Sequence, residues 1–192
     1  KALDLDAFGF PAKDARLWNP SWAPEGSRVA WIASGLVNGE EQQGVAIIDL
    51  ASETSQFLYS SQALRMSHVS WSPDGNHLSL VNPDLGRLWV FDVDAPQSPV
   101  LSAESVSFHT DPSWSPDGRW LAFFRPNRLV IGSADGKESR EFNVGIGTIW
   151  SPDGQYLISG KWIVEVGSWN TRPLDLPEDA TVLDWVAVDL PE

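Results

Sequence analysis

One pentapeptide, Trp-Ser-Pro-Asp-Gly, stands three times unchanged in this 192-residue chain, at Trp71 to Gly75, Trp114 to Gly118 and Trp150 to Gly154. A softened copy, Trp-Ala-Pro-Glu-Gly, spans Trp22 to Gly26. Self-similarity at a period of a few tens of residues marks repeat architectures, in which each unit is one supersecondary element that buries its apolar face only against its neighbours. The match runs upstream, where Asn19-Pro20-Ser21-Trp22 parallels Asp111-Pro112-Ser113-Trp114. It also runs downstream: Val29, Leu78, Leu121 and Leu157 stand seven residues after each Trp, and Trp31, Leu80, Phe123 and Ser159 stand nine after.

Alternation at two residues is the mark of a half-buried strand, and Pro-Asp-Gly ahead of it is turn chemistry. Pro presets φ, Asp accepts hydrogen bonds from the backbone ahead of it, and Gly takes a positive φ without steric cost. Each copy therefore reads strand, tight turn, strand. A third strand is expected at Val45 to Leu50, Leu88 to Val93, Leu129 to Ser133 and Trp162 to Val166. A fourth, weaker one is expected at Gln56 to Tyr59, Pro99 to Ser102, Arg140 to Val144 and Arg172 to Leu176. Helical repeats do not fit, because the Pro-Asp-Gly turns interrupt every candidate segment.

With Trp185 as a fifth ring, the mean spacing is about 41 residues, the length of a four-stranded propeller blade. The fold class expected is all-β, a β-propeller of four recognisable blades in a single domain over 1–192. The repeats fall at about 18–66, 67–109, 110–145 and 146–180, with a C-terminal strand at 181–189. Two alternatives stand for the ends. In one, the termini pair in a thin fifth blade, with Ala2 to Leu5 as an outer strand and Thr181 to Trp185 as an inner one. In the other, the chain is a segment of a larger propeller. The eleven Trp residues are accounted for by this architecture, since repeated large rings need repeated, shaped pockets. The motif rings Trp22, Trp71, Trp114 and Trp150 are accordingly expected to be buried between blades.

These four copies resemble the repeat of TolB-type β-propellers, often described as WD-repeat-like, in which Trp-Ser-Pro-Asp-Gly joins the innermost strand of a blade to the second. The resemblance covers Trp18 to about Glu178. It implies the fold and, more weakly, a bacterial periplasmic or extracellular location, with the cytoplasm as the alternative. It is nearly silent on activity, because scaffold proteins and propeller domains of peptidases share it.

The repeated carboxylates Asp74, Asp117 and Asp153 occupy one turn in successive blades, so they are expected to be structural rather than catalytic. The position three before the motif Trp carries Asn19, His68, Asp111 and Gly147, and in a propeller it lies near one mouth of the central channel. Asn19, His68 and Asp111, with His109 close by, are therefore the candidate ligand-binding residues. No Gly-x-Ser-x-Gly elbow, phosphate-cradling glycine loop or HExxH helix appears, so no catalytic residue and no metal ligand is assigned. No cofactor is expected. Calcium would suit the acidic surface, but no calcium-loop motif supports it.

Charge sharpens the choice of partner. Thirteen Lys and Arg stand against 26 Asp and Glu, a net of −13, without a basic cluster, which disfavours nucleic acid. No apolar run approaches the roughly 20 residues of a membrane helix, so membrane insertion is not expected. The leading function is a non-enzymatic, protein-binding scaffold module. The alternatives are a propeller enzyme or substrate-gating domain acting on a glycan or peptide, and an assembly subunit that completes a ring with another chain through open blade edges.

Overall fold

A computed structural model describes residues 13–37, 40–61, 66–96, 98–107 and 111–175. Sixteen strands and no helix are found among them. Four antiparallel sheets of four strands result, each a blade whose strands follow one another in sequence. The first holds β1 (Lys13–Trp22), β2 (Arg28–Val37), β3 (Glu40–Asp49) and β4 (Thr54–Ser61); the second holds β5 (His68–Trp71), β6 (His77–Asn82), β7 (Arg87–Asp92) and β8 (Leu101–Ala103). These two sheets form one compact unit, 1–108. The third sheet holds β9 (Ser113–Trp114), β10 (Trp120–Arg125), β11 (Arg128–Ser133) and β12 (Ser139–Phe142). The fourth holds β13 (Ile149–Trp150), β14 (Tyr156–Ser159), β15 (Trp162–Glu165) and β16 (Thr171–Pro173), and with the third forms a second unit, 109–192.

The sequence spacing has a direct cause in the strand register. Each motif Trp faces, across the hairpin, the residue seven positions later: Trp22 pairs with Val29, Trp71 with Leu78, Trp114 with Leu121 and Trp150 with Leu157. The turn between them is closed by glycine at positive φ, +78° at Gly26, +75° at Gly75, +71° at Gly118 and +70° at Gly154. A Cβ carrier would be strained there. The third and fourth strands overlap the expected stretches in every blade, but β3 and its hairpin partner β2 run to ten residues each, β4 runs to eight, and β8 begins at Leu101 rather than Pro99. Leu176, the expected end of the last strand, lies outside the described residues.

Within the first unit, the core lies between the two sheets. Ala30, Ile32, Val45 and Ile47 on one face of the first blade meet Trp71, Leu78, Leu80, Trp89 and Phe91 of the second. Within the second unit, Ala122, Phe124, Leu129, Ile131 and Phe142 of the third blade meet Trp150, Leu157 and Val164 of the fourth. Apolar area removed from water at about 25 cal/mol per Å² is what holds each pair of sheets together.

Three of the four motif rings are buried as expected, with Trp71 5%, Trp114 9% and Trp150 9% exposed. Trp22 departs from the expectation, at 58% exposed. Trp71 and Trp150 are each covered by the apolar face of the blade before them. Trp22 belongs to the first blade, and among the described residues no sheet precedes it. The expected C-terminal strand at 181–189, with Trp185, and the expected outer strand at Ala2 to Leu5 lie outside the described residues.

Candidate functional site

The innermost strands carry the residues singled out from the repeat. In β1, the pairing with β2 slips between Trp18 and Ser21, a bulge that holds Asn19 and Pro20. Asn19 has a φ of +50°, an uncommon conformation that Asn tolerates better than most side chains. Its Nδ2 donates to the carbonyl of Ser67 at 2.7 Å, and Ser21 Oγ accepts from the backbone N–H of Trp71 at 3.1 Å. These two bonds tie β1 to the residue just ahead of β5 and to the last residue of β5. The Asn19 amide thus reaches the residue next to His68, the half-buried first residue of β5, which faces Val81 across the hairpin.

Asp111 belongs to the second unit, where it is exposed and two residues ahead of β9. His109 lies outside the described residues. Among the four candidates the structure therefore joins the neighbourhoods of Asn19 and His68. The fourth repeat places Gly147 at the same position, beside Ile146, which among the described residues is the most exposed large apolar side chain, at 77%. Among the described residues, no group of three or more His, Asp and Glu side chains is placed to hold a metal ion.

The repeated carboxylates are engaged inside their own turns. Asp74, Asp117 and Asp153 each accept from the hydroxyl of the Ser two residues before, at 2.5, 2.6 and 2.6 Å. Each also accepts a backbone N–H two residues ahead, from Asn76, Arg119 and Gln155. The same serines accept the N–H that opens the second strand, from His77, Trp120 and Tyr156, all at 2.9 Å. Burial works to raise the Asp74 carboxyl, but the bonds from Ser72 and Asn76 outweigh it and hold it below the usual carboxylate range. Asp153 is lowered by the Ser151 hydroxyl and the Gln155 N–H. A fourth instance, unforeseen, closes the β11–β12 turn: Ser133 Oγ donates to Asp135 at 2.7 Å and accepts from Glu138 N–H at 2.9 Å. The Lys137 ammonium and Ser133 hydroxyl push the Asp135 carboxyl strongly down.

A hollow of about 140 Å³ opens on the fourth blade, lined by Tyr156, Ile163, Glu165, Asn170, Thr171 and Arg172. Spacing alone could not find it, because its walls come from three strands whose register depends on the length of the β15–β16 turn.

Solved structures match this succession of four-stranded antiparallel sheets. This is the β-propeller fold. An oligogalacturonate lyase in complex with manganese matches at a TM-score of 0.62 and 13% identity, over 84% of this chain and 54% of that one. The β-propeller domain of the Trilobed protease from Pyrococcus furiosus, described as having an open velcro topology, matches at 0.58 and 18% identity, over 85% and 57%. Chaetomium thermophilum Sqt1, bound to the N-terminus of the ribosomal protein L10, matches at 0.53 and 16% identity, over 79% and 46%. The chain thus spans about half the length of the propellers it resembles. No protein-family model and no curated protein matches the sequence.

Proposed function

We propose that this chain is a TolB-type propeller module that holds a protein partner and performs no catalysis itself. The observation that carries the reading is Trp22, a ring 58% exposed at a position whose counterparts are buried. Aromatic rings are over-represented among the residues that dominate protein interfaces, because a large rigid surface is desolvated at little conformational cost. The motif carboxylates support the same reading, since their oxygens are already engaged within the turns. Among propellers of like fold, Sqt1 holds the N-terminus of a ribosomal protein, which demonstrates that the fold can seat a protein segment. The TolB-type resemblance supports a bacterial periplasmic or extracellular location for such a module, with the cytoplasm as the alternative.

The test compares the immobilised chain with its Trp22→Ala variant in extracts of the source organism. The expected result is one stoichiometric protein retained by the parent and lost from the variant, at equal melting temperature. Equal retention by both would overturn the role of Trp22, and shortening of oligogalacturonate or of a peptide by the purified chain would favour the enzyme reading instead. A dimer that dissociates on Trp22→Ala would favour the assembly subunit.

A further inference from the structure

The exposed ring of Trp22 has an apolar neighbour on the same face of the first blade. Trp22 faces Val29 across the first hairpin, Val29 faces Ile48 across the next, and Leu50 stands two residues after Ile48. The Leu50 N–H donates to the Ser27 carbonyl at 2.9 Å, which carries the β2–β3 ladder one step past Arg28 and Asp49. Side chains two apart on a ladder share a face, so Leu50 lies on the side of Ile48 and Trp22. Val29 and Ile48 are buried, whereas Leu50 is 43% exposed. The first blade thus turns two large apolar side chains to solvent at one end of one face.

That end of the first unit is acidic. Strands alternate in direction within each sheet, so the turns after the first and third strands of a blade lie at one end. The first two blades set these ends side by side: the Arg28 guanidinium lies over the Trp71 ring at 4.7 Å, and a Cβ on Gly75 would meet Pro24 at 3.3 Å. Among the described residues, the four turns and the strand ends beside them carry the carboxylates Glu25, Asp49, Glu53, Asp74, Asp92 and Asp94 and a single guanidinium, Arg28. Arg28 is engaged by Glu25 at 2.6 Å, so the remaining carboxylates set the sign of the field around Trp22 and Leu50.

We propose that Trp22 and Leu50 dock a segment of a partner protein in which an apolar side chain is flanked by Lys or Arg. The apolar pair supplies the contact area. The acidic rim selects what surrounds it, because like charges brought together are costly and opposite charges speed the encounter. A second copy of this chain is disfavoured as the occupant, since its own net charge of −13 would meet the same acidic rim. The proposal rests on the scaffold reading and deepens it by naming the chemistry that the partner brings to Trp22.

The probes are fluorescent peptides titrated with the full chain and followed by anisotropy: Gly-Lys-Lys-Leu-Phe-Arg-Lys-Gly, its charge-inverted form with Glu at every basic position, and a form with Ser in place of Leu and Phe. At about 50 mM salt the basic Leu-Phe peptide should bind saturably and about tenfold tighter than either of the others. Trp22→Ala should weaken it about tenfold and Leu50→Ala about threefold. Glu53→Gln combined with Asp94→Asn, both at exposed positions that leave the fold intact, should weaken it about threefold, and the difference should vanish at about 300 mM salt. Glu41→Gln, at the far end of the first blade, should bind as the parent does. Equal binding of the basic and charge-inverted peptides, no saturable binding of the basic one, or indifference to Trp22→Ala would each overturn the proposal. A dimer that depends on Trp22 would give the face to a second copy and overturn it as well. A partner captured from extract through Trp22, with no preference for the basic peptide, leaves the scaffold reading standing and overturns this one alone.

Discussion

Ser151, 2% exposed, holds the fourth blade's first hairpin by two bonds at once, donating to Asp153 and accepting from the Tyr156 N–H. Removing its hydroxyl leaves a strand-opening N–H without its acceptor, which costs the desolvation of that group rather than the small net value of a hydrogen bond. Ser151→Ala should therefore lower stability by about 1–2 kcal/mol in urea unfolding, and an unchanged midpoint would show that water replaces the hydroxyl freely. The carboxyl partner gives a pH signature of definite sign. Asp153 is held below its unfolded value near 3.9 by Ser151 and Gln155, so its contribution is complete above that value and fades as pH falls through the lower folded one. Below about pH 4 the parent should lose melting temperature more steeply than Asp153→Asn, with the two curves parallel at neutral pH. The turn role of the three aspartates was legible in the sequence, because Pro-Asp-Gly dictates it. The serine's double duty was not, since a hydroxyl has no positional preference until the hairpin fixes which N–H it faces.

Between sheets, the motif rings differ in what covers them. Trp150 is buried against the third blade and its Nε1 donates to the Ser113 carbonyl at 3.1 Å, so Trp150→Ala should cost about 3–5 kcal/mol through lost burial and the remaining cavity. Trp22→Ala, at an exposed ring, should cost under about 1 kcal/mol. Equal losses in thermal unfolding would mean that the first blade's ring is covered in solution as the others are. A second contrast lies at Ser159, where the repeat carries Trp31, Leu80 and Phe123 in the other blades. Ser159 is fully buried and donates to the Gly145 carbonyl at 2.6 Å, in a place where the chains at Gly145 and Gly160 nearly touch. A Cβ at Gly145 would stand 2.7 Å from the Gly160 Cα, so Gly145→Ala should destabilise by about 1–3 kcal/mol through overpacking, while Ile146→Ala beside it should be neutral. Strand positions were legible because alternation and turn residues act locally. Trp22's exposure and the Tyr156–Arg172 hollow were not, because they depend on which sheet, if any, stands against a face.

At the scale of the whole chain, two effects of salt oppose each other, and the charge arithmetic decides between them. Several cations sit in local, exposed pairs: Arg28 with Glu25, Arg87 with Glu104, Arg125 with Glu141, Lys137 with Asp135 and Arg140 with Glu138. Such pairs contribute about 0–1 kcal/mol each and weaken when screened, which by itself would make added salt destabilising. Yet 26 carboxylates face 13 cations, so pairing of every Lys and Arg still leaves a net of −13, and self-repulsion grows as the square of the net charge. Compaction brings the unpaired carboxylates closer than they stand in the unfolded chain, and the repulsion is therefore stronger in the folded state. Screening should relieve more repulsion than it removes attraction. Raising sodium chloride from about 10 to 300 mM shortens the Debye length from about 30 Å to a value below 10 Å, and the melting temperature should climb by several degrees over that range. The same field should keep a labelled DNA duplex from binding at either salt concentration. A melting temperature that falls on adding salt would mean that the local pairs outweigh the net charge, and the acidic surface would then be a set of compensated pairs rather than a repelling field.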